Sequence, residues 1–478
     1  MRKDMNKLLG TMAAVLLSSI VFAPAAQAYE GFNGPLGVLT SEKQALQGYT
    51  LIAPQKANTT YLMDMTGNIV QEWKSEYGCF FAMLDPKTGN LLRHAVTPSG
   101  LVPFGGQAGI IEEFDWTGKK IWEFNTVKPG QEISHHTFTV MPNGNLLILV
   151  WKHHTYEEAL AKGLDPDKPG RMMFPSGVRV GKERIKGIWV DVIREIERGT
   201  GKTVWEWDVW NHIGTNPDQL DINVFCSPKI RREYAGPDWT HFNGVSYNPE
   251  TNEICFTSRQ LSEVYFIDYG KDGGIKFRWG NPANYGKGKA PAGYADDGDQ
   301  KLFGPHACVW TKEGTITIFD NGNNRPSGNY SRAVEINREG KLIREWKASM
   351  SGSSDWNFYT AFQGGLQKLD NGNYLITASN PGHIVEVTPE NKIVWEFVNP
   401  MGAKDKVYSS AGNEGFTQGF TVHKAWRYTA DSPELKGKDL SIKRTLMPAG
   451  TPNWLELLKA GVDGPEKPGM NQQNKTSK

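Results

Sequence analysis

The chain has 478 residues, with 53 Lys and Arg set against 52 Asp and Glu, and 11% of its residues are aromatic. A charge balance so even leaves no basic field for a nucleic-acid backbone and no acidic tail. The four cysteines, Cys79, Cys226, Cys255 and Cys308, contain no C-x-x-C spacing, so a zinc ribbon is not supported; at most one disulfide is expected, with Cys255 and Cys308 as the candidate pair.

Residues 1–28 read as a secretory signal peptide. Arg2, Lys3 and Lys7 give a basic start, "LLGTMAAVLLSSIVFA" an apolar core, and "AQA" a small-residue cleavage site before Tyr29. No later run approaches the roughly 20 apolar residues of a spanning helix, so the mature chain is expected to carry no membrane span.

From residue 29 to about 430 one unit recurs: a strand, a tight polar turn, and a strand ending on an aromatic residue. The copies are "YLMDMTGNIVQEW" (61–73), "IIEEFDWTGKKIWEF" (110–124), "VIREIERGTGKTVWEW" (192–207), "VYFIDYGKDGGIKFRW" (264–279), "AVEINREGKLIREW" (333–346) and "IVEVTPENKIVWEF" (384–397). Their closing aromatics, Trp73, Phe124, Trp207, Trp279, Trp346 and Phe397, each stand six residues after a turn glycine or, in the last copy, Asn391. A hairpin precedes most copies, as in "MPNGNLLILV" and "LDNGNYLITAS", where Asn-Gly sits between strand-forming runs. Two hairpins make four antiparallel strands per unit, which is the blade of a β-propeller. Six aromatics predict an all-β, six-bladed β-propeller, with seven blades still open if the termini complete a further sheet.

Between the copies, residues 152–190, 208–240 and 281–303 read as long loops on one propeller face, where binding sites collect, with a short helix over 157–163. Residues 431–478 read as a C-terminal extension, helical at "NWLELLKAGV" and disordered beyond.

The strand before each hairpin is the one expected to line the central channel. Three such strands carry histidine at nearly equivalent places: "SHHTFTVM" (134–141), "THFNGVSY" (240–247) and "PHACVW" (305–310). His135 or His136, His241 and His306 therefore converge on the channel axis. The Asp320-Asn321-Gly322 turn is expected to fold Arg325 back toward His306. His94 and His423 fall at ordinary strand positions, His153 and His154 open an insertion, and His212 follows a blade's last strand.

The pieces "DWTHFN" (238–243), "TSRQLSEV" (257–264), "FGPHACV" followed by "FDNGNNR", and "YSRAVEI" (330–336) resemble the bacterial periplasmic aryl sulfotransferases, which use no nucleotide sulfate donor. The resemblance spans most of residues 130–400. It implies a periplasmic, cofactor-free transferase that moves a sulfuryl group from a phenolic sulfate ester to a phenol acceptor through a sulfated histidine. Carried over residue by residue, it implies His241, His306 and Arg325 as catalytic. It also implies a further nucleophilic histidine downstream; the strand expected there, "FYTAFQGGLQKL", has none, and His383 is the nearby candidate. His136, Asn243, Asn321 and Tyr359 are expected to contact substrate. No metal is expected, no nucleic acid partner is expected, and the oligomeric state stays open between monomer and homodimer.

Two other readings use the same residues. Channel histidines suit a metal-dependent propeller enzyme, since imidazole binds divalent transition metals. A non-catalytic propeller that binds a ligand would not need the missing downstream histidine.

Overall fold

The turns that punctuate the repeat adopt the backbone their residues allow. Gly67, Gly118, Gly201 and Gly340 have φ between 72 and 89°, and Asn391, which replaces glycine in the last copy, has φ 66°. Only glycine enters this left-handed region without cost, and asparagine is among the few residues that tolerate it. The computed structural model describes residues 36–98, 102, 104–165, 178–180, 183–185, 187–224, 238–402 and 420–446. The signal peptide, Cys226 and the expected helix after residue 452 lie outside them.

The strands assemble into six antiparallel blades around a central axis. Running from inner to outer strand, blade 2 comprises Cys79–Leu84, Leu91–Val96, Gly109–Phe114 and Lys120–Asn125. Blade 3 comprises Glu132–Val140, Leu146–Thr155, Gly187–Ile196 and Thr203–Asp208; blade 4 comprises Phe242–Asn248, Glu253–Ser258, Glu263–Asp268 and Phe277–Trp279. Blade 5 comprises His306–Trp310, Ile316–Asp320, Arg332–Ile336 and Leu342–Trp346.

The ring closes twice. Blade 6 uses Gly365–Lys368, Tyr374–Ala378, His383–Val387 and Ile393–Val398, and then takes its outermost strand, Gly37–Ser41, from the start of the chain. Blade 1 takes its innermost strand, Trp426–Tyr428, from the far end of the chain; Tyr49–Ile52, Thr59–Met63 and Asn68–Lys74 follow, and Arg444–Thr445 forms the outer edge. Residues 431–446 therefore belong to the propeller rather than to a separate extension, and Leu435 and Leu446 are buried.

Six hydrophobic clusters fill the six gaps between neighbouring blades, from Trp207 and Phe256 between blades 3 and 4 to Tyr61 and Trp395 between blades 6 and 1. The buried tryptophans also bond across these gaps. Trp73 Nε1 donates to Asp115 O of blade 2 at 2.9 Å, Trp207 Nε1 to Gly273 O of blade 4 at 2.8 Å, and Trp395 Nε1 to Met65 O of blade 1 at 3.0 Å. A single blade cannot bury both its faces alone, so each depends on the next.

Two expectations change. The stretch 152–190 is not all loop, because Leu146–Thr155 and Gly187–Ile196 pair along ten residues, His153 opposite Trp189 and His154 opposite Ile188. The helix there is Tyr156–Ala161, started by a capping box between Thr155 and Glu158. Cys255 and Cys308 are buried free thiols rather than a disulfide pair. Among the described residues no helix is long and apolar enough to cross a membrane.

Candidate active site

A shared backbone device aims the inner strands at the axis. Each of blades 2 to 5 breaks register near the start of its innermost strand: around Phe80, after His135, after Phe242 and after His306. At these points His136 has φ 51°, His241 φ 49° and Ala307 φ 53°, values that cost a non-glycine residue energy. An extra residue in one strand of a pair bends it and re-aims a side chain. Here the re-aimed side chains meet at the centre.

His136 stands in the middle of the group. Its ring centroid lies 4.8 Å from that of His241, 6.1 Å from His306 and 6.3 Å from His423. Phe80 of blade 2 packs against both His136, at 5.6 Å, and His423, at 4.9 Å. His423 is the residue the sequence pattern assigned to an ordinary strand. It immediately precedes the short run into Trp426–Tyr428, the inner strand of blade 1, so it occupies the place that His241 and His306 occupy in their blades. A fourth histidine is thus brought to the axis at blade 1 by the end of the chain.

The histidines differ in what their ring nitrogens do. His241 Nδ1–H donates to Asp238 Oδ2, and Gln260 Nε2 donates to the same oxygen at 3.3 Å. A carboxylate accepts only, so this pairing fixes the tautomer and leaves Nε2 as the basic nitrogen. His306 has both nitrogens engaged: Nδ1–H donates to Asn321 Oδ1 at 2.7 Å, and Nε2 accepts the Gln363 N–H at 3.1 Å. Neither ring nitrogen of the buried His423 has a hydrogen-bond partner among the described residues. Burial holds His423 at a pKa of about 3 and pushes His136 and His306 well below the ordinary value, so these rings are neutral at physiological pH.

His383 is held elsewhere. It sits on the third strand of blade 6, where Nε2 donates to Glu396 Oε1 at 2.8 Å and the ring faces Phe358. Arg325 does fold back, but onto Asp320, whose Oδ2 accepts from its Nη2 at 2.6 Å, and it lies between the rings of Phe303 and Tyr330. The cation whose charge most disfavours a protonated His306 is Arg259, which the sequence reading quoted only within a motif. Its backbone N–H donates to His241 O at 3.1 Å, and its guanidinium lies 5.3 Å from the Phe362 ring.

The expected substrate contacts divide in the same way. His136 is central. Asn243 is fully buried and spent at both ends, donating to Pro305 O at 2.8 Å and accepting from Thr257 Oγ1 at 2.7 Å, so it braces blade 4 against blade 5. Asn321 likewise gives Nδ2 to Thr360 O and Gln363 O while its oxygen holds His306. Tyr359 is buried and donates to Asn323 Oδ1 at 3.2 Å. Among the described residues no group of three or more His, Cys, Asp or Glu side chains is arranged to hold a metal ion.

The family model of the arylsulfotransferases (ASST) matches residues 178–410, from the outer half of blade 3 to the end of blade 6. This is a family of transferases, and the match makes the chain an aryl sulfotransferase-like enzyme on a six-bladed propeller. The matched span includes His241, Arg259, His306 and Arg325 and stops short of His423. No curated protein matches the chain significantly. Among solved structures, a protein of unknown function from Bacteroides caccae aligns at 13% identity over 74% of this chain and 94% of its own, with a TM-score of 0.44. Virginiamycin B lyase from Staphylococcus aureus aligns at 14% identity over 76% of this chain and 83% of its own, with a TM-score of 0.38. Scores so low say nothing about this chain's chemistry.

Proposed function

We propose that this enzyme transfers a sulfuryl group from an aryl sulfate to a phenol through a covalent intermediate on His423. The observation that carries the proposal is that neither ring nitrogen of His423, set among the converging histidines, has a partner among the described residues. A neutral imidazole with an unshared lone pair is a competent nucleophile, whereas a ring with both nitrogens bonded must first break one bond. In the first half-reaction an imidazole nitrogen forms a bond to sulfur, the S–O bond to the aryl group breaks, and a phenolate leaves. In the second, an acceptor phenol oxygen attacks the sulfur and His423 is released.

Charge on the sulfuryl oxygens grows as the group moves, and fixed donors aimed at developing charge are usually the largest source of acceleration. Arg259 and Arg325 are the buried cations suited to that role, Arg325 through its Nε–H, which has no partner among the described residues. His241, oriented by Asp238, serves as the base toward the acceptor hydroxyl. Phe80 and Phe362 suit an aromatic substrate ring. The signal peptide read in residues 1–28 supports work in the periplasm.

The test is steady-state kinetics with nitrophenyl sulfate as donor and phenol as acceptor. The covalent route gives ping-pong kinetics, with parallel lines in double-reciprocal plots at several acceptor concentrations. Intersecting lines would point to direct transfer in a ternary complex and remove the histidine intermediate.

A further inference from the structure

Behind His136 stands a second set of groups that the transfer chemistry above does not use. His135 Nδ1 lies 2.9 Å from His136 Nδ1. On its other side His135 Nε2 lies 2.9 Å from Asp191 Oδ1. These last two atoms are not aligned as a hydrogen bond, yet each is fully buried with no other partner among the described residues. A small rotation of the imidazole makes the bond. The His135 ring stacks on Trp151, with centroids 3.8 Å apart and planes 8° from parallel, so it turns within its plane more readily than it tilts. The other carboxyl oxygen of Asp191 accepts from Thr240 Oγ1 and, at 3.0 Å, from the Phe242 N–H, the two residues that flank His241. Asp191 and His135 are both completely buried.

The geometry points to a proton relay, Asp191 to His135 to His136, that stores in the protein the proton exchanged between the two half-reactions. This rests on the sulfuryl-transfer reading, since only a two-step transfer leaves a proton to be kept. In the loaded state Asp191 is a carboxylic acid, His135 carries its proton on Nδ1 and His136 on Nε2. When the phenolate leaves, His136 Nε2–H protonates its oxygen, His135 Nδ1–H passes to His136 Nδ1, and the Asp191 proton passes to His135 Nε2. Both imidazoles end neutral and Asp191 ends as a carboxylate. The acceptor phenol's proton, taken first by His241 Nε2, then passes to His136 Nε2 of the neighbouring ring, and each step reverses. No proton crosses to solvent, which suits a site this buried.

The electrostatics agree. Burial pushes Asp191 up to about 8, so it is loaded at neutral pH, and burial holds His135 and His136 well below the ordinary histidine value. Asp238 raises Asp191 further, while His241 and the two hydrogen bonds to its Oδ2 oppose that. His136 in turn faces His241, His306 and His423.

Two donors separate this relay from a structural role for the same residues. Unsubstituted phenolate needs a proton as it leaves and nitrophenolate much less. In the wild type, turnover of phenyl sulfate should fall above about pH 8, where Asp191 unloads, and that of nitrophenyl sulfate should fall less. Asp191→Asn keeps an oxygen for Thr240 and Phe242 but holds no transferable proton. It should lower the phenyl-to-nitrophenyl rate ratio about 100-fold, the lower end for a lost general acid, and abolish the alkaline fall. His135→Gln interrupts the relay from the middle and should give the same pattern if the Asp191 variant does not fold. Equal losses with both donors, or an unchanged ratio, would overturn the relay while leaving sulfuryl transfer intact. Should the wild type release phenol from neither ester, the transfer reading fails instead. The relay falls with it, and the infrared carboxylic-acid stretch then tests only whether Asp191 is a protonated store. A stretch present below about pH 8 and lost in Asp191→Asn supports a protonated store, and its absence from the wild type excludes one.

Discussion

Blades 5 and 1 both bring a histidine to the axis, and they do it in opposite ways. His306 heads a strand that its own blade follows directly in the chain, and both of its ring nitrogens are tied, one to Asn321 and one to Gln363. His423 enters with a strand from the far end of the chain, which pairs with Tyr49–Ile52, and its ring nitrogens have no hydrogen-bond partner among the described residues. The first histidine is part of the wall; the second is the one with a lone pair to use. Place in the fold and place in the sequence coincide for one and not for the other, and that decides which was found by reading repeats.

The largest effect should come from setting His423 against His383, the two candidates for the downstream histidine. His423→Asn is expected to lower transfer from nitrophenyl sulfate by about 10⁴-fold or more, as loss of a nucleophile does. His383→Asn, which removes only the pairing with Glu396 on blade 6, is expected to keep activity within a few-fold. The reverse ranking would move the nucleophile to blade 6.

A smaller loss should follow from Asp238→Asn. The amide no longer holds His241 by a charged acceptor and permits the wrong tautomer, so turnover should drop by about 100-fold or more at neutral pH. The thermal midpoint should stay near that of the wild type, which circular dichroism can check. A variant that unfolds instead would assign Asp238 to the scaffold.

The closure of blade 1 can also be weighed against ordinary blade contacts. Trp395→Phe removes the bond to Met65 O across the closing gap, and Trp346→Phe removes a bond to Ser351 Oγ within its own blade's loop. Both lose one hydrogen bond worth about 1 kcal/mol, and the first also strands a carbonyl, so it should cost about 1 to 2 kcal/mol more in urea unfolding. Equal costs would mean that the closing gap is no more demanding than a loop.

A further contrast is in acid stability. His94 and His423 are each held at about 3 in the fold against an ordinary 6.5, so between these values the unfolded chain binds more protons than the folded one. Their contribution is complete above pH 6.5 and is lost as pH falls toward 3. Asp191, held high, works the other way between its ordinary 3.8 and about 8, losing stability as pH rises. His423→Gln should therefore make the thermal midpoint less sensitive to acid below about pH 4, where Asp191 no longer contributes a slope. An unchanged acid slope would argue against a buried neutral ring.

Much of this was legible in the sequence. The turn glycine and the aromatic six residues on gave the blade, the blade count and the channel strands, because a period that repeats survives insertions. His136, His241 and His306 followed, since each heads a strand inside its own copy. His423 did not, because blade 1 borrows its inner strand and the repeat has no copy there; the signal was "VHKAWRY", a fourth histidine at the head of a strand-like run. Asn243 and Asn321 looked like site residues for being polar beside the histidines. Polar groups buried there must find partners, and theirs are backbone carbonyls and neighbouring side chains. Asp191 and Asp238 were invisible as a pair because they lie on different segments and meet only around His241.

The central claim is that His423 carries the sulfuryl group. Incubating the protein with nitrophenyl sulfate and no acceptor, quenching under mildly alkaline conditions and mapping the modified peptide by mass spectrometry tests it most directly. The account predicts one sulfuryl increment, on the peptide containing His423, with one equivalent of nitrophenol released. An increment on His306, His241 or His383, or a full equivalent of nitrophenol with no modified histidine, would contradict it.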